Sequence, residues 1–120
     1  MINTAREIRK GDIMLVKMGN LYGTKTEELR PILIVQNDIG NKFSPSVIAC
    51  PVTSKLKSLH LPTHVTIAKG SGNLAMDSMI LAEVLITFSK SELLRYIGTI
   101  TDSDKSRVDA AIKVSLGIDS

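Results

Sequence analysis

Pro31 is followed at once by the apolar run Ile32-Leu33-Ile34-Val35, and Asn37-Asp38-Ile39-Gly40-Asn41 closes that run. Proline has no N–H to give to a ladder, so it is tolerated where a strand begins. A short unbroken apolar run between turn residues suits a strand buried on both faces. The same punctuation recurs along the chain. Asp12–Met18 holds Ile13-Met14-Leu15-Val16, and Ser46–Thr53 follows the turn pair Ser44-Pro45. Pro51 near the end of that segment predicts an edge position or a bulge. His64–Ala68 alternates, Gly70-Ser71-Gly72-Asn73 breaks the chain, and Ser78–Thr87 is the longest strand segment. Ser89-Lys90-Ser91-Glu92 matches a capping box and predicts a short helix to about Arg95. Tyr96–Thr101 reads as one more strand. Beyond Thr101, the residues Val108, Ala111, Ile112, Ser115 and Leu116 recur at helical spacing, and Gly117 supplies a stop. About six short strands and two late helices predict a mainly β fold, a small bent sheet or barrel with a C-terminal helix packed on it.

The 120 residues fit one domain, 1–120, and a chain of this size buries enough surface for a core without staples. A hydrophobic fraction of 43% and a charged fraction of 22% exclude a disordered chain. The apolar runs are too short for a membrane span. No basic-then-apolar leader opens the chain, so a cytoplasmic location is expected and export is not. Cys50, the single cysteine, can form no internal disulfide and no metal site alone.

Charge is unevenly placed. Residues 1–60 hold 9 Lys and Arg against 5 Asp and Glu, whereas residues 61–120 hold 6 against 7. An anionic partner would find its contacts mainly in the first half, where Lys55 and Lys57 stand in the loop Ser54–Pro62. No phosphate-binding glycine loop and no zinc spacing is present. His60 and His64 do not read as an acid–base pair. Pro62 between them favours extended chain, and four extended residues span about 13 Å. Arg30 stands where the polar loop Gly19–Leu29 meets the apolar run. Glu83 stands among apolar neighbours, where a carboxylate must be paired, solvent-facing or shifted in its titration. Thr53-Ser54 supplies two hydroxyls that can serve a phosphate or begin a turn.

The run from Arg30 to Pro45 resembles the signature of the MazF/PemK family of toxin endoribonucleases. Gly11-Asp12, Val52-Thr53-Ser54, Leu61-Pro62-Thr63-His64-Val65, Asp77-Ser78, Leu81-Ala82-Glu83 and Val114-Ser115-Leu116-Gly117 follow in that family's order. The resemblance implies an SH3-like barrel of the CcdB/PemK type with short helices. It implies a homodimer, a metal-independent and cofactor-free cleavage of single-stranded RNA at short sequences, and 2′,3′-cyclic phosphate and 5′-hydroxyl ends. It also implies a MazE-like antitoxin whose C-terminal segment covers the active site. Arg30 and Thr53 match the family's catalytic arginine and threonine, and Glu83 matches an acidic position that some members use. Tyr22, Thr24, Lys25, Ser54, Lys55 and Lys57 are the expected RNA-binding residues, with Phe43 a loop aromatic or a core plug.

Arginine holds phosphate oxygens with a planar fork and stays protonated, so charge stabilisation is its first task. Glu83 either takes the 2′-hydroxyl proton or orients Arg30. Departures from the family pattern are Lys25, where many members have Glu, and Val84 and Ile86, where polar residues often follow the acidic one. These changes bear on sequence recognition. The polar loop Gly19–Leu29 is expected to be mobile and to gate Arg30. Met14, Met18, Val84 and Ile86 are expected to leave an apolar face that a second copy covers. Two other readings are a CcdB-like toxin that binds DNA gyrase without catalysis and an SH3-like peptide-binding module. Arg30 with Thr53 favours the enzyme, and a chain without Trp is poorly furnished for a peptide groove.

Overall fold

The computed structural model describes residues 6–17, 28–55 and 61–118. Strand β1 (Asp12–Lys17) is followed by β2 (Leu29–Ile34), a short helix α1 (Asp38–Phe43) and β3 (Ser46–Thr53). Then come β4 (His64–Ile67), β5 (Ser78–Leu81), β6 (Ile86–Ser89), β7 (Leu93–Thr99) and the helix α2 (Asp102–Leu116). All pairings are antiparallel, in the order β4-β5-β3-β2-β1-β7, with β6 also on β3. The fold is mainly β, with seven strands and a C-terminal helix. The sheet is strongly bent but open between β4 and β7, so the expected barrel is an unclosed one.

Both faces of the sheet are buried, which is why its strands read as unbroken apolar runs. Ile13, Leu33, Cys50 and Val52 pack on one face with Val65, Ile67 and Ile80 and with Val108 and Ala111 of α2. Met14, Val16, Ile32, Ile34, Val47 and Ala49 pack on the other, closed over by Phe88 and Leu93. Each such fully buried side chain contributes about 1.5–3 kcal/mol. Met14 is 1% exposed within the monomer, so it forms no part of an outward apolar face.

Several local expectations are corrected. Asn37–Asn41 is the start of a helix rather than a plain turn. The Asn37 side chain accepts the Gly40 N–H at 2.8 Å and caps α1. The periodic pair Ile39 and Phe43 gave no core signal because both are 75% exposed, so Phe43 is no core plug. Ser78–Thr87 is two strands, not one. The Ala82 N–H still donates to the Thr63 carbonyl in register with β4, and the Val84 N–H then closes a turn back on Leu81, which ends the strand. The capping box at Ser89 forms, but it caps one 3-10 turn, Lys90–Glu92, and Leu93–Arg95 already belong to β7. Pairing of β7 with β1 and burial of Leu93 override the local helix signal. The C-terminal helix runs as expected, and Gly117 ends it at φ +69°, where a side chain would be strained.

Pro51 lies neither at a sheet edge nor at a recorded bulge. Along one side of β3, Ser46–Ala49 pair with β6, and Val52 and Thr53 pair with β5. Pro51 falls in the gap between those partners, where a missing donor costs least.

Candidate active site

The site grows out of a parting in the sheet. The pairing of β2 with β3 runs Ile34↔Ala49, Leu33↔Cys50, Ile32↔Pro51 and then stops. Beyond it, Arg30 and Pro31 pair only with β1, and Val52 and Thr53 pair only with β5. Pro31, at the parting on β2, has no N–H with which to carry the β2–β3 ladder further. Between the diverging ends lies a cleft of about 510 Å³. Arg30, Glu28, Ser54 and Lys55 supply its polar lining, and Pro31, Leu74 and Met76 are among its apolar walls.

Arg30 is the second residue of β2, with its neighbours Ile32 and Ile34 locked in the core. Its side chain is 37% exposed and its guanidinium meets the Glu28 carboxylate. Nε and Nη2 both donate to Glu28 Oε2, at 3.0 and 2.6 Å. Residues i and i+2 of a strand share a face, which sets Glu28 beside Arg30. Continuing the β2–β3 register two residues past Ile32↔Pro51 sets Thr53 opposite Arg30 across the parting. The Thr53 hydroxyl oxygen accepts the Lys55 backbone N–H at 3.1 Å. That bond makes the turn out of β3 and leaves the hydroxyl proton available to donate. The arrangement offers a planar cation, a serine and a lysine along an open groove, with the Thr53 hydroxyl opposite Arg30 by register.

A sequence profile of PemK-like, MazF-like toxins of type II toxin–antitoxin systems matches residues 9–116. Endoribonuclease MazF of Staphylococcus saprophyticus subsp. saprophyticus is 37% identical over 111 residues, which is 92% of each chain. The chain belongs to the PemK/MazF family of type II toxins. A solved endoribonuclease from a mycobacterial species superposes with a TM-score of 0.78 at 21% identity, covering 96% of both chains. An endoribonuclease in complex with its cognate antitoxin, also mycobacterial, gives 0.78 at 22% identity over 94% of this chain and 98% of that one. MazF from Deinococcus radiodurans gives 0.76 at 20% identity over 94% and 99%. These structures share the PemK/MazF fold.

Of the residues expected at a PemK/MazF site, the structure brings Arg30, Ser54 and Lys55 into one cleft, whereas Thr53, between the lining residues Val52 and Ser54, does not itself line it. Tyr22, Thr24, Lys25 and Lys57 lie outside the described residues, as do His60, Met18 and most of the expected gating loop. Glu83 does not line the cleft and sits in no strand. It occupies the turn between β5 and β6, so the strand-face argument for it fails. Thr63 Oγ1 donates to Glu83 Oε1 at 3.1 Å, and His64 Nε2 lies 2.9 Å from Oε2. His64 is 3% exposed, and its Nδ1 accepts the Leu61 N–H at 3.3 Å. The proton of the neutral ring therefore sits on Nε2 and is given to Glu83. Burial pushes the Glu83 carboxyl up. Hydrogen bonds from its own backbone N–H, from His64 and from Thr63 outweigh that and hold it below its ordinary 4.5. His64 is thus a buried structural partner.

Sequence reasoning missed Glu28, although its i, i+2 spacing to Arg30 on a strand was the signal for it. It also missed a second hollow of about 380 Å³ that shares Ser54, Ala75 and Met76 with the first and adds Lys69 and Asp77. Asp77 holds the Lys69 backbone N–H at 2.8 Å, which ties this end of the groove down. Cys50 lies wholly buried behind the site. Burial and then the Glu83 charge push its thiol up to about 12, which leaves it no thiolate at neutral pH.

Proposed function

We propose that this PemK/MazF toxin is a metal-independent endoribonuclease that cuts single-stranded RNA within short sequences. The observation that carries the reading is Arg30, which is fixed on a rigid strand where the sheet parts and lines the cleft there, with Thr53 opposite it by register. A planar fork aimed at phosphate stabilises the charge that grows on the pentavalent phosphorus. Thr53 donates one further hydrogen bond. The 2′-oxygen attacks, the 5′-oxygen leaves, and the ends are a 2′,3′-cyclic phosphate and a 5′-hydroxyl. Glu83 orients groups around the site rather than moving the proton, because Thr63 and His64 already occupy both its oxygens. Ser54 and Lys55 bind RNA along the cleft. By sequence position, Tyr22, Thr24, Lys25 and Lys57 extend that surface.

In this reading residues 1–120 act as one domain in the cytoplasm, as a homodimer. A MazE-like antitoxin lays its C-terminal segment over the cleft and silences it. Membership of a toxin–antitoxin family supports the partner, as does the mycobacterial relative in complex with its cognate antitoxin. A gyrase-binding or peptide-binding role would leave the Arg30–Thr53 arrangement without a task. The test is incubation of the pure protein with mixed-sequence RNA, with and without EDTA, followed by end analysis. Cleavage undiminished by EDTA with cyclic phosphate ends is expected. No cleavage, or cleavage abolished by EDTA, contradicts the reading.

A further inference from the structure

We infer that Glu28 is the general base of this cleft, an assignment that rests on the RNA-cleaving function proposed above. Among the described residues lining the cleft, Glu28 supplies the one carboxylate. It is 53% exposed, and it already touches the group that is to hold the phosphate. Its Oε2 fills the Nε–Nη2 edge of Arg30, and no described residue donates to its Oε1. Asp77, in the adjoining hollow, holds the Lys69 backbone N–H, and Glu83 is tied at both oxygens by Thr63 and His64; neither lines the cleft.

The pair is built to exchange partners. An exposed ion pair of this kind is weak, so RNA can take the guanidinium edge at little cost. Phosphate oxygens that replace Glu28 on Arg30 leave the carboxylate beside the scissile group without its cation. Loss of the cation and arrival of an anion both favour uptake of a proton. Proton affinity thus rises at the moment when substrate is in place, which is what a general base at neutral pH requires.

The step balances without a co-reactant other than water. The 2′-hydroxyl gives its proton to the Glu28 carboxylate as its oxygen bonds to phosphorus. The phosphorus–O5′ bond breaks, and the leaving 5′-oxygen takes a proton from water. The cyclic phosphate stays on Arg30 until release, and Glu28 returns its proton to solvent.

Single-turnover cleavage of one single-stranded RNA between pH 5 and 9, by the wild type, Glu28→Gln, Glu28→Asp and Glu83→Gln, tests the assignment. Binding of the same RNA with 2′-deoxy substitutions, which cannot be cut, is measured alongside. Glu28→Gln is expected to lose about 10²–10⁴ in rate. It should also lose the rise of rate with pH on the acidic side. It should still bind the uncleavable RNA at least as tightly as the wild type, since a neutral amide competes less for Arg30. Glu28→Asp should be slowed yet keep the acidic rise, and Glu83→Gln should keep it too. Glu28→Gln at or above the wild-type rate overturns the assignment. So does a slow Glu28→Gln whose pH dependence is unchanged, which would make Glu28 a positioning residue for Arg30. A wild type that cuts no RNA overturns the parent reading itself, and so is told apart from failure of the base assignment alone.

Discussion

Two arginine–carboxylate pairs in this molecule are made of the same groups and serve opposite ends. In the first, Arg6 Nη2 meets Asp12 Oδ1 at 3.0 Å, and the carboxylate is completely buried. The Thr99 hydroxyl donates to the same oxygen at 2.8 Å, and the Arg9 N–H donates to the other at 2.9 Å. Tyr96 donates to Thr99 in turn, while the Arg6 guanidinium stacks on the Tyr96 ring at 3.6 Å. That network ties the chain before β1 to the end of β7. In the second pair, Arg30 and Glu28 share one oxygen in a half-open cleft. A buried carboxylate held by three donors cannot lose its cation without leaving an uncompensated charge. An open pair with a free oxygen can be exchanged for a ligand. The two arginines are about equally exposed, 36% and 37%, so burial of the carboxylate is what separates the structural pair from the pair at the cleft.

The contrast is broken most sharply at its buried end. Asp12→Ala leaves Arg6 without its anion and should cost about 3–5 kcal/mol in urea unfolding. Glu28→Ala, with the same groups on the surface, should change stability by at most about 1 kcal/mol. Equal losses would erase the distinction. Next in size is Thr53→Ala. It removes a neutral donor to a charged phosphate, worth about 1.5–3 kcal/mol. Single-turnover cleavage should fall roughly tenfold to a hundredfold while the melting temperature holds.

Acid should act on the scaffold before it acts on the buried face. Asp38 and Glu83 both titrate below their ordinary values of 3.8 and 4.5. For Asp38 the Lys10 backbone N–H is the largest cause, at 2.7 Å. A carboxyl whose folded value is depressed contributes stability that is whole above the unfolded value and is lost as pH falls through the folded one. Thermal stability should therefore be level from neutrality to about pH 5 and decline below about pH 4.5. The decline should be smaller in Glu83→Gln. A flat profile down to pH 3 would contradict the hydrogen-bonding assigned to both groups. The smallest effect is expected from the histidines. Replacing His60 and His64 with Gln should leave cleavage within about tenfold of wild type, because removal of a true proton-transfer group costs about 10²–10⁴. Gln at position 64 can still donate to Glu83, and a larger loss in folded protein would make His64 part of the chemistry.

What could be read without a structure follows the same division. The strands at Asp12, Ile32, Ser46 and His64 were legible because burial on both faces writes itself as apolar runs between turn residues. Arg30 stood out as a charged residue abutting the most apolar of those runs, but its assignment to the site came from the family resemblance. The break at Ala82–Leu85 was not legible, since the turn that the Val84 N–H closes on Leu81 contains no Gly, Pro, Asn or Asp to mark it. The helix at Asp38 was missed because its apolar pair faces outward, and the early end of the 3-10 turn at Glu92 because β1 claims Leu93. Glu83 looked anomalous for the wrong reason. Its apolar sequence neighbours suggested a carboxylate in a strand, whereas Thr63 and His64 hold it in a turn. The parting of β2 from β3 was half visible, as Pro31, but what stands opposite it across the sheet is a matter of register that only the fold supplies.

The central claim is that Arg30 at that parting is the group that drives RNA cleavage. Single-turnover cleavage by Arg30→Ala, on protein shown by thermal melting to be as stable as wild type, tests it most directly. Loss of one aimed charge of this kind costs roughly 3–4 kcal/mol, so the rate should fall by about 10²–10³ or more. An Arg30→Ala variant that cuts the same RNA at the wild-type rate would contradict the account and move the active site elsewhere on the molecule.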